Sequence, residues 1–158
     1  RSLRPSMTSG CRSSAAAANA AMAEALIALG GNVGPEDQVR ETLALAIARF
    51  CSGSTTRLLA RSSDYRTPPW GVTEQAPFVN CAIAVATDLT APALLAHAQA
   101  TERAFGRDRA RELRWGPRPL DIDLIAYDEL TLDTPELTLP HPRALEDRKS
   151  TRLNSSHT

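Results

Sequence analysis

The succession of hydrophobic periods between residues 23 and 128 constrains the fold more than any other feature of this chain. AEALIALG, Ala23 to Gly30, is a short apolar run closed by two glycines, which gives it the length and flanks of a buried strand. GGNVGPEDQ then turns into a helix whose first turn carries Pro35, Glu36 and Asp37. Val39, Leu43, Ile47 and Phe50 recur at helical spacing and give that helix one apolar face, until CSGS breaks it. Residues 55–65 suit a strand, and Phe78 to Thr87 a second, rich in alternating and small apolar residues. RTPPWGVTEQAP between them is a Pro/Gly loop too long for a tight hairpin. Thr90 and Pro92 open a second helix with Leu94, Leu95, Ala98 and Phe105 on its inner face. GRDRARELRWGPRP is an irregular charged loop, PLDIDLIAYD a strand, and LTLDTPELTLPHP short strand pieces and turns. The order β-α-β-β-α-β is that of an α+β, ferredoxin-like fold: an antiparallel sheet with both helices packed on one face.

At 158 residues, 42% of them hydrophobic, the chain fits one domain with a substantial core. No apolar run reaches the ~18 residues of a membrane span, so a soluble, cytoplasmic protein without a membrane partner is expected. The formal charge of zero conceals a split: from Met22 to Glu146 there are 12 arginines, no lysine and 17 acidic residues, a net of −5. Five of those arginines stand between Arg107 and Arg118. A mildly acidic domain with its positive charge gathered in one place argues for a local anion site and against a nucleic-acid surface. Cys11, Cys51 and Cys81 have no metal or disulfide-framework spacing and read as reduced thiols.

Both ends differ from the domain between them. Residues 1–21 are rich in Ser, Ala and Arg without a hydrophobic period, and read as a disordered leader or upstream translation, since MAEALIALGG from Met22 resembles a natural start. Residues 147–158 contain DRKSTRLNSSH, which resembles translated sequencing adapter. The expectation is a domain at 22–146 whose native continuation is absent, and which is less stable or less active than its complete form.

Within RWGPRPLDID, Arg114 to Asp123, the two aspartates point to one face of a strand while Leu120, Ile122 and Leu124 point to the other. Carboxylates roughly 7 Å apart suit Mg²⁺, which keeps waters and takes further ligands from phosphates. Arg107, Arg109, Arg111, Arg114 and Arg118 have only Asp108 and Glu112 as counter-charges in their own segment. Guanidinium forks on phosphate oxygens and carboxylates on metal describe a nucleotide site. Trp115 either stacks on a flat ring or closes the loop against the core.

RWGPRPLDIDLI resembles the signature of the 6-hydroxymethyl-7,8-dihydropterin pyrophosphokinases of folate biosynthesis. ALGGNVG is similar to that family's opening ALGSNLG, with Gly31 where Ser is usual; YRTPPWG and QAPFVN are similar to its pterin-side segments and LTLPHPR to a later loop. These motifs span most of Ala25 to Arg143 in the family's order. The resemblance implies transfer of pyrophosphate from ATP to the pterin hydroxymethyl oxygen, with AMP leaving. By position it implies two Mg²⁺ ions on Asp121 and Asp123, and phosphate contacts from Arg107 and Arg118. It further implies an ATP side lined by Gln99, Glu102, Arg109, Trp115, Thr138 and His141, and a pterin pocket of Thr67, Pro68, Trp70, Phe78 and Asn80. ATP and a reduced pterin are thus the expected partners of a monomer. The arginine loop is one residue longer than in some relatives, which leaves open whether Arg109, Arg111 or neither takes the next phosphate contact. Phosphoryl transfer asks for positioning and charge neutralisation rather than a covalent nucleophile, and no general base stands out. A nucleic-acid-binding module and a metal-dependent phosphohydrolase or nucleotidyl transferase are the rival classes; only the first requires a basic surface this domain lacks.

Overall fold

A computed structural model of the chain describes residues 22–69 and 71–144. The elements are β1 (Ala23–Gly31), α1 (Glu36–Phe50), β2 (Thr56–Arg61), β3 (Tyr65–Thr67), β4 (Phe78–Thr87), α2 (Ala91–Ala104), β5 (Asp121–Tyr127), β6 (Leu132–Asp133) and β7 (Thr138–Leu139). The main sheet runs β2-β4-β1-β5, every neighbouring pair antiparallel, with β3 extending the β2 edge of β4 and β6-β7 forming a separate two-stranded ribbon. This is the α+β order expected from the periods. One expected strand, 55–65, is two: the chain leaves the sheet at residues 62–64 and rejoins β4 further along.

Alternation within the strands sorts the faces. Ala25, Ile27 and Leu29 of β1, Val79, Cys81, Ile83 and Val85 of β4, and Ile122 and Leu124 of β5 are all buried. They meet Val39, Leu43, Ala46, Ile47 and Phe50 of α1 and Ala91, Leu94 and Ala98 of α2 in one apolar cluster. The two helices contact each other, so both cover the same face. Thr90 caps α2 by accepting the Ala93 amide at 3.3 Å, and Glu36 and Asp37 place negative charge in the first turn of α1, where the helix dipole favours it. No helix among the described residues is long and apolar enough to cross a membrane. The segments assigned to a leader and to a non-native tail lie outside the described residues.

The opposite face of the sheet carries no helix among the described residues. Its upper half bears Gly30, Asn80, Asp121 and Asp123; its lower half is a shallow depression lined by Leu26, Ala84 and Ala126 with the acidic Glu24, Asp128 and Glu129.

Candidate active site

The candidate site is built around a glycine. Strand register places Asn80 of β4 opposite Gly30 of β1 on one side and Asp121 of β5 opposite it on the other. All three alternate with buried neighbours, so all three face away from the helices. With strands about 4.8 Å apart, the two flanking side chains rise from positions roughly 10 Å apart. A Cβ at Gly30 would run into the Asn80 carboxamide oxygen, so the absence of a side chain keeps the floor between them open.

On the β4 side, Asn80 Nδ2 donates to Thr67 Oγ1 at 2.6 Å. That bond fixes the amide's orientation and leaves its oxygen turned toward Gly30. Thr67 pairs with the half-buried Phe78, and the exposed Pro68 follows at once. Thr67, Pro68, Phe78 and Asn80 therefore gather at one end of β3-β4. Trp70 lies outside the described residues.

On the β5 side the two aspartates share a face and differ in every other respect. Asp121 Oδ1 accepts from Arg107 Nη1 at 2.5 Å and Oδ2 from Arg118 Nη1 at 3.0 Å. Asp123 makes no side-chain hydrogen bond or ion pair among the described residues. Burial and the adjacent Asp121 charge raise its pKa above the ordinary carboxylate value, against the opposing pull of His141, Arg118 and Arg107. A half-buried carboxylate with a like charge beside it and no partner is a place for a cation. The described residues hold no group of three or more His, Cys, Asp or Glu side chains fit for a metal, so such a cation would draw most of its ligands from water and substrate oxygens.

Beneath Asp121 lies an ion cluster. Arg107, 6% exposed, donates Nη1 to Glu102 as well as to Asp121, and forks Nε and Nη2 onto Glu112 at 2.8 and 3.1 Å. Glu102, 1% exposed on the inner side of α2, also binds Arg109 Nη2 at 3.0 Å and accepts the Ile122 amide at 3.3 Å. Burial raises the Glu102 pKa, and the charges of Arg107 and Arg109 oppose it. Burial pulls Arg107's pKa down, but hydrogen bonds to Glu112 and Asp121 prevail and hold it above its ordinary value. Such a cluster is stable only as a set: removing one partner of a buried pair costs ~3–5 kcal/mol.

The remaining expected residues divide. Arg109 joins the cluster through Glu102, whereas Arg111 sits exposed at the surface against Asp108 at 3.4 Å, so the geometry includes Arg109 and leaves Arg111 aside. Gln99 is half-buried one helical turn before Glu102. His141 donates its backbone N–H to Ile125 O at 2.8 Å, which lays the segment from Thr138 to His141 along the outer edge of β5. Trp115, with φ +66°, has the guanidinium groups of Arg114 and Arg143 over its ring, 5.5 and 5.0 Å from the centroid.

Two residues with structural consequence escape sequence reasoning: Asn32 and Gln75. Each sits inside a segment legible as a motif, yet nothing in its own identity marks it. Of the two counter-charges the sequence offers in the arginine segment, Glu112 is the one that pairs with Arg107, while Asp108 pairs with Arg111 at the surface.

Residues 26–150 match the family described as 7,8-dihydro-6-hydroxymethylpterin-pyrophosphokinase. Among curated proteins, the 2-amino-4-hydroxy-6-hydroxymethyldihydropteridine pyrophosphokinase of Methylorubrum extorquens is 43% identical over 120 residues, covering 76% of this chain and 73% of that protein. The proteins of the same name from Bacillus subtilis and Pseudomonas aeruginosa are 38% and 41% identical, covering 70% and 68% of their own lengths. The chain therefore belongs to the 7,8-dihydro-6-hydroxymethylpterin-pyrophosphokinase family.

Proposed function

We propose that the two sides of Gly30 hold the two substrates of the family reaction, the pterin on the Asn80 side and ATP on the Asp121 side. That reaction, pyrophosphoryl transfer from ATP to 6-hydroxymethyl-7,8-dihydropterin in folate biosynthesis, is the function of this chain. The single observation that carries the assignment is the register across β4, β1 and β5, which sets an oriented amide on one side of an open floor and, on the other, the arginine-bound Asp121 with the unpartnered Asp123 two residues on.

In this reading the Asn80 amide meets the hydrogen-bonding edge of the pterin, Phe78 stacks on its ring, and Thr67, Pro68 and Trp70 complete the pocket. The pterin hydroxymethyl oxygen attacks the β-phosphorus of ATP. The bond from that phosphorus to the oxygen bridging to the α-phosphorus breaks, AMP leaves with the electron pair, and the hydroxyl proton passes to solvent or phosphate. Arg118 and Arg109, whose side chains are partly exposed, neutralise the triphosphate. Gln99, Trp115, Thr138 and His141 line the nucleotide side, and Glu102, 1% exposed, supports it from beneath through Arg107 and Arg109. Asp121 and Asp123 would hold Mg²⁺, two ions by resemblance, which when bound supplies charge neutralisation at the phosphate oxygens. Arg107 takes a supporting part: with its donors engaged by Glu102, Glu112 and Asp121, it fixes the Asp121 carboxylate rather than reaching substrate. A monomer working in the cytoplasm fits small, polar substrates and the free thiols Cys51 and Cys81.

Incubation with ATP, Mg²⁺ and the pterin should give AMP and pterin diphosphate in equal amounts. AMP or phosphate released at the same rate without pterin would assign the site to a hydrolase instead.

A further inference from the structure

We infer that Asn32 and Gln75 are positioning residues that tie the pterin-side loop to the arginine loop, so that either substrate, on binding, tightens the site for the other. The inference rests on the assignment of substrates to the two sides of Gly30.

The observations form a continuous chain of hydrogen bonds. Asn32, 4% exposed, follows β1 directly. Its backbone N–H donates to Arg118 O at 3.0 Å and its Oδ1 accepts the Arg118 amide at 2.8 Å, which fixes the backbone of an arginine that itself holds Asp121. Its Nδ2 donates to Gln75 Oε1 and Ala76 O, both at 2.9 Å, in the loop leading to Phe78 and Asn80. Gln75 Nε2 closes the circuit, donating to Trp115 O at 2.7 Å and to Val72 O at 2.9 Å. Steric fit reinforces the link. Gly71, with φ +76°, has the Trp115 Cβ 3.1 Å from where its own Cβ would stand, and a Cβ at Gly31 would meet Pro119 O at 2.6 Å. Two loops that lack regular structure are thus held to each other, and to the end of β1, by two carboxamides whose donors and acceptors are all engaged.

Both carboxamides are engaged within the protein, so they act as positioning residues and not as catalytic ones. Their effect passes through Arg118 and Trp115 on one side and the 72–76 turn on the other. A ligand that orders one loop lowers the ordering cost of the other, and linkage requires the tightening to be equal in both directions.

The test uses the full chain and two variants, Gln75→Leu and Gln75→Glu. The first removes every hydrogen bond of the side chain; the second keeps an acceptor for Asn32 but loses the donor to Trp115 and Val72. Calorimetric titration gives the affinity for the pterin with and without a Mg²⁺-loaded ATP analogue carrying a methylene group between the α- and β-phosphorus. The wild type is expected to show mutual tightening, and both variants to lose about fivefold of it, the factor for one net hydrogen bond, while each ligand alone binds within about twofold of wild type. Hydrogen exchange without ligand supplies an arm independent of the functional assignment: amides of residues 113–118 should exchange roughly fivefold faster in Gln75→Leu, with those of Ile27 and Leu29 unchanged. Tightening retained in both variants, or absent from the wild type, overturns the inference while leaving the pyrophosphokinase assignment standing. Unchanged exchange at 113–118 overturns the tie itself. A wild type that binds neither ligand removes the substrate assignment and this inference together.

Discussion

The two faces of the sheet follow opposite rules. The helix-covered face is redundant: Ile27, Ile83, Val85, Leu124 and their neighbours share one job, and each is replaceable by a residue of similar size at modest cost. The open face is not redundant. In the proposed assignment Gly30, Asn80, Asp121 and Asp123 are single residues with single tasks, and their side-chain chemistry, or its absence, cannot be exchanged among hydrophobic equivalents. A substitution on the first face should register in stability and one on the second in substrate handling. Crossed results would break the comparison.

The largest effect on the covered face is expected from Phe50→Ala. Phe50 is fully buried between the helices, where its ring meets His97 at a centroid distance of 4.6 Å. Its loss should lower stability by about 4 kcal/mol, read by denaturant unfolding, with KM for both substrates little changed in the fraction that remains folded.

On the open face, Asp123→Asn should lower turnover by roughly 10²–10³-fold, in line with weakened hold on the Mg²⁺ that would neutralise the reacting phosphates. The same variant should stabilise the free protein at neutral pH. Because burial and Asp121 raise the Asp123 pKa, folding favours its protonated form. That contribution is present below the ordinary carboxylate range of about 4 and is lost as pH rises through the raised value. The variant's gain in melting temperature should therefore be seen at pH 7 and vanish on acidification. A gain that grows at low pH would contradict the account of Asp123.

A smaller and more selective change is expected from Gly30→Ala. The new methyl group displaces the Asn80 carboxamide from Thr67, and the pterin affinity should fall about tenfold, with nucleotide affinity altered far less. Arg111→Ala sets the lower limit. An exposed arginine paired only with Asp108 at the surface should change neither stability by more than ~0.5 kcal/mol nor turnover by more than about twofold, whereas Arg109→Ala should raise KM for ATP.

The covered face was legible in the sequence because its signal is periodic. The spacing of Val39, Leu43, Ile47 and Phe50 and the alternation through β1, β4 and β5 set elements close to those observed, with Phe78–Thr87 at the same bounds. The break at residues 62–64 was not legible, since Ser62, Ser63 and Asp64 suit an edge strand as poorly or as well as a turn. In the candidate site, motif resemblance supplied the residues to examine, but it carries no contacts. Arginines in a charged loop read as solvated or phosphate-facing, and only the fold shows that Arg107 is buried among Glu102, Glu112 and Asp121. Asn32 and Gln75 bond across 43 positions, and Gln75 reaches Trp115 across 40, distances at which a single sequence gives no pairing signal.

The central claim is that Gly30 divides the open face into a pterin half and a nucleotide half. Titrating the Mg²⁺-loaded methylene analogue and the pterin separately into wild type, Asp123→Asn and Asn80→Ala tests it most directly. The account predicts that Asp123→Asn loses nucleotide affinity about tenfold or more with pterin affinity retained, and that Asn80→Ala does the reverse. If both variants weaken both ligands equally, or if the losses are exchanged, the division across Gly30 is wrong.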